Sequence, residues 1–431
     1  MSERKVKIDV PSLARVEGEG ALHLKIHQDK IEHLQFKIYE PPRFFEKFLE
    51  GRHYTEVPDI VARICGICPV AYQVSAVNAL ESLFEVEKTV WIQQMRRLLY
   101  LGEWLQSHSL HIHLLALPDY FGYDTAIQLA GKFPDEVRRG FALQDSGNQI
   151  MRLLGGRSVH PVGIAVGGFH KAPALKDVDI LLANLQALLP QAMAMAEWIS
   201  TIEIPDQEQD FCSVALSADN YAVETGRVIS SNGLDICEAD YEQYFQESHS
   251  PHSTALWSHL QGQDYLVGPL ARLNLCHHQL PQGIQKLLSK LGNPFPSQNM
   301  FHSMLARAVE VCWALDEAIN ILQGYQIPDY SKADVAVKAG EGFGWSEAPR
   351  GLLWHRYKVN GSGHIEEAKI VPPTSQNQAR IEQDLQWSLA QIGLDQSDEV
   401  LRLHSEKVIR NYDPCISCAT HFLKLSTERS G

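Results

Sequence analysis

Asp413-Pro414-Cys415-Ile416-Ser417-Cys418-Ala419-Thr420-His421 places a C-x2-C turn close to the end of the chain. Its counterpart stands near the start, in Arg63-Ile64-Cys65-Gly66-Ile67-Cys68. Half of the eight cysteines lie in these two pairs. A C-x2-C turn aims two thiolates at one cation, so two facing turns supply four sulfurs. As 347 positions separate Cys68 from Cys415, the fold must join its two ends around one buried site if the pairs meet. Other chemistries use the same spacing. Structural zinc takes C-x2-C twice, with the pairs usually a couple of dozen residues apart. Thioredoxin-like exchange needs one pair after a strand and leaves the second unexplained. Disulfides belong to oxidising compartments, and the N-terminus does not read as a secretory signal. Haem attachment wants His directly after the second Cys, where Ala419 stands.

Composition bounds the rest. The 431 residues have the length of two or three ordinary domains. With 45% hydrophobic and 21% charged residues, the chain reads as a well-packed globule. No long unbroken apolar run predicts a membrane span. A formal charge of −14 opposes nucleic acid as a partner and offers no polybasic lipid anchor. Cysteines without a signal peptide point to metal ligation in a reducing cytoplasm.

Working outward from the cysteines, alternation predicts strands at Val6–Val10, Leu22–Ile26 and Leu34–Ile38, the last two joined by a turn at Gln28-Asp29-Lys30. Arg15-Val16-Glu17-Gly18-Glu19-Gly20 between them has glycines that admit a close neighbour. Cys65-Gly66-Ile67-Cys68 opens a helix through Ala71, Val74, Val77 and Leu80. A long helix runs from Met95 toward Leu115, carries His108, His111 and His113, and closes at Pro118. The three histidines read as hydrogen-bonded packing residues. Val178–Leu189 and Leu305–Leu322 are further helical stripes, with Pro190 kinking or restarting the first and Cys312 a core residue of the second. Residues 205–300 read as an irregular polar excursion. Residues 352–372 alternate about an Asn360-Gly361 turn, and a last helix near Val400–Ile409 delivers Asp413-Pro414. The expected fold class is mainly α (α+β): a long central helix bundle with small peripheral sheets. Residues 1–421 form one large catalytic domain, and 422–431 form a tail.

The two cysteine motifs with their flanks closely resemble those of the large, catalytic subunit of nickel-iron hydrogenases. Arg15-Val16-Glu17-Gly18, Arg43-Phe44-Phe45-Glu46, Gln106-Ser107-His108, Glu347-Ala348-Pro349-Arg350-Gly351 and Pro373-Thr374-x-x-Asn377 follow the family's order, so the resemblance covers nearly the whole chain. Arg43–Glu46, Ala116-Leu117-Pro118-Asp119 and the short tail are most similar to the cytosolic sulfhydrogenase or NAD(P)-linked group. Two positions depart from many relatives: Glu19 replaces a histidine and Val166 a proline.

The resemblance implies the following. Cys65, Cys68, Cys415 and Cys418 ligate nickel, and Cys68 and Cys418 also bridge to iron, whose other ligands are carbon monoxide and cyanide. Arg350 sits beside the resulting negative cluster, with a salt bridge to Glu347 as its plainer role. Thr374, after Pro373, donates its hydroxyl to a cyanide. Cys415 is the first base, and Glu17 relays the proton, helped by a raised pKa beside the cluster. Asp119 orients an arginine such as Arg350. Glu46 and His421 hold magnesium or a similar ion, and a maturation protease removes 422–431 after a nickel chaperone has delivered the metal. The implied reaction is H2 ⇌ 2H+ + 2 electrons. No further clustered cysteines hold an iron–sulfur relay and no G-x-G-x-x-G follows a strand. Electrons are therefore expected to leave through an iron–sulfur small subunit, then flavin and NAD(P) diaphorase subunits or a sulfur acceptor. The alternative is a non-catalytic scaffold of an electron-transfer complex with a zinc-filled or empty four-cysteine site.

Overall fold

The computed structural model describes residues 5–420. Three antiparallel strands open the chain: β1 (Lys5–Val10), β2 (Gly20–His27) and β3 (Lys30–Ile38). Their register pairs Ile8 with Leu24 and Leu24 with Leu34, so alternate side chains share one buried face. Helices α1 (Pro69–Phe84), α2 (Val90–Leu110), α3 (Pro134–Gly155), α4 (Leu175–Ser200) and α5 (Ser303–Gln323) build the centre. Leu98, Leu99, Leu101, Trp104 and Leu105 of α2 and Trp313 and Leu315 of α5 belong to one continuous core. Gly102 and Gly147 face each other where α2 crosses α3. A Cβ on Gly147 would lie 2.3 Å from the Gly102 oxygen, so this crossing is closed to any side chain at that point.

A second antiparallel sheet packs on α1: β4 (Gly340–Ala348), β5 (Gly351–Val359) and β6 (Ile365–Val371). Ala348 pairs with Gly351, which leaves Pro349 and Arg350 alone at the tip of a tight hairpin. Helices α6 (Pro373–Ile392) and α7 (Asp398–Asn411) then return the chain to the first sheet.

Three expectations need correction. Residues 205–300 are ordered: Tyr265–Leu266, Cys212–Ser217, Arg227–Ser230 and Asp235–Ile236 form a four-stranded sheet over a small second core shared with β4–β6, where Tyr241 stacks on Phe245 and Trp354. Those strands are two to six residues long, too short for alternation to register in sequence. Pro118 does not end its segment. The chain continues through a wider helical turn at His111–Ala116 into a short helix, Leu117–Tyr120, where a proline early in the first turn lacks only an amide that needs no partner. Finally, α4 does not restart at Pro190 but continues through it as one helix, and by length and composition it is long and apolar enough to cross a bilayer. Its stripe of Val178, Leu181, Leu185, Met195 and Ile199 is buried, and the helix packs against α5 and α3. The fold is mainly helical with small sheets, as the sequence predicts.

Candidate metal centre

The N-terminal cysteine pair is built from a helix start. Cys68 occupies the N-cap of α1, but its side chain caps nothing, which leaves the sulfur free. Pro69 has no amide, and the next two orphan amides are met from another helix. Val70 donates to Glu103 Oε2 at 2.6 Å and Ala71 to Oε1 at 3.0 Å. Glu103, fully buried on α2, thus serves as the cap that a ligand cysteine cannot be. Burial pushes its pKa well up, and the charge of Cys65 adds to that. Cys65 Sγ accepts from the amides of Ile67 at 3.3 Å and Cys68 at 3.2 Å.

The C-terminal pair sits on a strap after α7. Asp413 turns the chain through a left-handed conformation, φ 54°, and Ile416–Ala419 form one short helical turn. Remote groups hold the strap. Ile416 donates to the Glu17 backbone oxygen at 3.0 Å, and the Cys415 amide to Thr374 Oγ1 at 3.0 Å. Arg43 donates to the Ile64 oxygen at 2.6 Å and also to the Ser417 oxygen, tying both halves together. A Cβ on Gly18 (φ 86°) would meet Glu40 Oε2 at 2.6 Å and Ile416 at 2.7 Å. The close neighbour that the glycines of 15–20 admit is therefore the strap itself.

The four sulfurs converge. Cys65 Sγ lies 3.3 Å from Cys415 Sγ, Cys68 Sγ 3.5 Å from Cys418 Sγ, and Cys415 Sγ 2.8 Å from Cys418 Sγ. All four lie within 4.8 Å of one another and are buried. Sulfur–metal bonds of about 2.3 Å set tetrahedral ligand sulfurs about 3.8 Å apart, so sulfurs that all lie within 4.8 Å of one another can close on a soft cation. Burial and the neighbouring sulfurs push the Cys415 thiol up, and burial likewise raises Cys418. Four thiolates cannot coexist here without a cation, and the all-sulfur donor set fits a thiophilic metal.

Charge compensation comes from the hairpin tip. Arg350, buried, donates from Nε to the Asp413 oxygen at 2.7 Å and from Nη2 to Asp413 Oδ1 at 3.0 Å. Its Nη1 reaches Ser107 Oγ at 3.4 Å. Although burial opposes the charge, Asp413 and the thiolates of Cys415, Cys68 and Cys65 raise its pKa well above the usual range. Burial pushes Asp413 up, against the pull of Arg350 and Arg307. Glu347 pairs with Arg272, at 2.9 Å, and not with Arg350. Asp119 needs the same correction. It binds Arg410 at 2.6 and 2.8 Å and also Arg15, so it holds the end of α7 rather than Arg350. The helix that continues past Pro118 points its carboxylate at α7.

Glu17 Oε2 stands 3.1 Å from Cys415 Sγ and accepts the Ser417 amide at 3.1 Å. Burial raises its pKa, and the charge of Cys65 raises it further. Thr374 is buried beside Cys415, with Pro373 opening α6. Glu46 accepts the Ile370 amide at 2.8 Å, on the segment where Arg43 bonds the Thr420 oxygen at 2.7 Å. His421 and the tail lie outside the described residues. The three histidines are buried: His108 meets Glu310 at 2.9 Å, His111 the Arg410 oxygen at 2.7 Å and His113 the Ser109 oxygen at 2.9 Å. Glu103, Asp413, Ser417 and Glu40 were not predicted as functional. Asp413 and Ser417 lie inside the opening motif, but nothing in the sequence marks Glu103 or Glu40.

A mainly helical chain that joins its two ends in a buried four-thiolate cage is built as a metal-centred redox subunit. The nickel-dependent hydrogenase family model matches residues 43–132 and 237–421. Sulfhydrogenase 1 subunit alpha of Pyrococcus furiosus is 31% identical over 431 residues, covering 99% of this chain and 100% of the relative. NAD-reducing hydrogenase HoxS subunit beta of Cupriavidus necator is 28% identical over 476 residues, covering 97% and 95%. The crystal structure of an NAD+-reducing [NiFe]-hydrogenase in the H2-reduced state superposes with a TM-score of 0.90 at 26% identity, over 96% of this chain and 99% of that one. The chain belongs to the nickel-dependent hydrogenase family, as a catalytic large subunit of the nickel–iron type.

Proposed function

We propose that this subunit performs reversible heterolytic cleavage of H2 at a nickel–iron pair held by Cys65, Cys68, Cys415 and Cys418, and passes the electrons to an iron–sulfur small subunit. The observation that carries this reading is the four-sulfur cage with a carboxylate 3.1 Å from one of its sulfurs. When bound, the metal pair, its iron bearing carbon monoxide and cyanide, supplies the Lewis-acid and redox chemistry of H2 splitting. The residues supply the rest. The Cys415 sulfur takes the first proton, and Glu17, whose raised pKa suits a group that both takes and gives, carries it away. Arg350, fixed by Asp413, holds positive charge against the cage and orients its planar fork over it. Thr374, which already accepts the Cys415 amide, keeps its own O–H free to donate to a cyanide.

Electrons leave beside the Cys65–Cys68 turn, where Gly66 and Arg63 are exposed although both sulfurs are buried. The names of the relatives favour NAD or sulfur as the final acceptor, and the family resemblance adds NADP and a flavin subunit to that route. Glu46 and His421 hold a divalent ion, and a protease cuts after His421 once a nickel chaperone has loaded the site. The whole of 1–421 acts as one catalytic domain in the cytoplasm. Anaerobic purification of the native complex, followed by H2-driven reduction of NAD+, NADP+ or polysulfide, tests this. Expected are a co-purifying iron–sulfur protein and one strongly preferred acceptor; a complex with neither contradicts the electron route.

A further inference from the structure

The geometry points to Ser417 and Glu40 as the next two stations of the proton exit, a route that rests on the Glu17 reading above. Ser417 projects from the strap between the two C-terminal ligands. Its amide donates to Glu17 Oε2 at 3.1 Å, which sets the serine side chain beside the Glu17 carboxylate. The same hydroxyl donates to Glu40 Oε2 at 2.9 Å. Glu40 Oε2 further accepts the amide of Glu19, an exposed residue, at 3.3 Å. The Glu40 side chain is 15% exposed, and Arg43 Nε lies 3.9 Å from its Oε1. The chain of contacts thus runs from a buried sulfur to solvent in three side chains.

A second, independent feature keeps that path open. Gly18 is in a left-handed conformation, and a Cβ there would fall 2.6 Å from Glu40 Oε2. The glycine leaves the space that the Glu40 carboxylate fills. A serine hydroxyl both accepts and donates, so it relays a proton without holding charge. Protonated Glu17 gives its proton to Ser417 Oγ as the hydroxyl hydrogen of Ser417 passes to Glu40. One O–H bond forms and one breaks at the serine. Glu17 returns to carboxylate and Glu40 becomes the acid that delivers to water. Both carboxyl groups and the serine are recovered when the next proton arrives, and no other reactant is needed.

The test uses the purified complex carrying Ser417→Ala, Ser417→Thr, Glu40→Gln or Glu17→Gln. Two rates are compared: conversion of para-H2 to ortho-H2, which needs no proton to leave the protein, and exchange of H2 with D2O, which does. Infrared spectra of the metal-bound carbon monoxide and cyanide check that the centre is intact. Ser417→Ala and Glu40→Gln are expected to keep the spectrum and the para–ortho rate while exchange falls ~10²-fold, the lower end of what a positioned proton carrier contributes. Ser417→Thr, which keeps a hydroxyl, is expected to restore exchange. Wild-type exchange in both Ser417→Ala and Glu40→Gln, with slow exchange in Glu17→Gln, overturns the route but leaves Glu17 in place. Wild-type exchange in Glu17→Gln overturns both. Should Ser417→Ala fail to acquire nickel, Glu40→Gln decides alone on the same two readings.

Discussion

Cys65 and Cys68 stand at the mouth of a 16-residue helix, whereas Cys415 and Cys418 stand on a turn of four. The first pair takes its position from α1, buried against α2 and the β4–β6 sheet, with Glu103 closing the helix end. The second pair has no such helix behind it. It is held by hydrogen bonds to distant parts of the chain: Glu17, Thr374, Arg43 and, through Asp413, Arg350. One half of the cage is a rigid floor and the other a strap fastened over it. A strap fastened by side chains can be laid down last. That order agrees with the proposal that the tail beyond it is removed once the metal is in place.

The contrast can be broken most severely at a ligand. Cys415→Ser replaces a soft donor by a hard one, and both nickel content and H2 oxidation are expected to fall to background; full nickel occupancy would show that the strap does not contribute to the cage. Glu17→Gln keeps the strap hydrogen bond to Ser417 but cannot carry a proton, so turnover is expected to drop by ~10²–10⁴-fold with nickel retained. Arg350→Lys keeps the charge but loses the fork that grips both the backbone and the side chain of Asp413. A fall of ~10²–10³-fold in kcat, the scale of one lost charge-stabilising donor, is expected with shifted infrared bands; unshifted bands would mean that the strap does not depend on it. On the floor side, Glu103→Leu strands two buried amides at ~1–3 kcal/mol each, and lower thermal stability with faster amide exchange across 66–74 is expected. Faster exchange in the strap instead would reverse the contrast.

The smallest effect is one of pH, in the charged layer behind the floor. Burial drives His108 down to about 4, while Arg272, working against burial, holds Glu310 at about 2. His108 is therefore neutral in the fold and takes a proton in the unfolded chain below its ordinary 6.5. Stability is expected to fall as pH drops from 7 to 5, by about 2 kcal/mol from this ring, and His108→Asn should flatten that slope. Glu310 adds nothing in this window, because its contribution is lost only below its ordinary 4.5 as pH approaches 2.

The floor was easier to read from sequence than the strap's surroundings. The helix after Cys68 shows in its 3.6-residue apolar spacing, and Arg15–Gly20 shows in its glycines. The partners of the charged groups do not show. In sequence, Glu347 offers Arg350 a plain salt bridge and Asp119 offers to orient an arginine such as Arg350, since charge complementarity alone does not choose among carboxylates that the fold brings near. Placement of Arg350 at a hairpin tip over Asp413, and of Asp119 against α7, decides the matter. Glu103 is invisible in sequence for a different reason: a glutamate in a helical stripe reads as a surface charge until the helix is seen to be buried all round from Leu98 to Leu105. The sheet in 205–300 leaves no mark in the sequence because strands of two to six residues carry too few positions for a period.

The shared cage is tested most directly by metal analysis with X-ray absorption at the nickel edge on the anaerobically purified complex. One nickel and one iron per chain, with the nickel bound by sulfur in the wild type and the sulfur shell depleted by Cys→Ser changes in either pair, is the predicted result. Zinc in place of nickel, or a nickel shell that responds to one pair of cysteines and ignores the other, would contradict it.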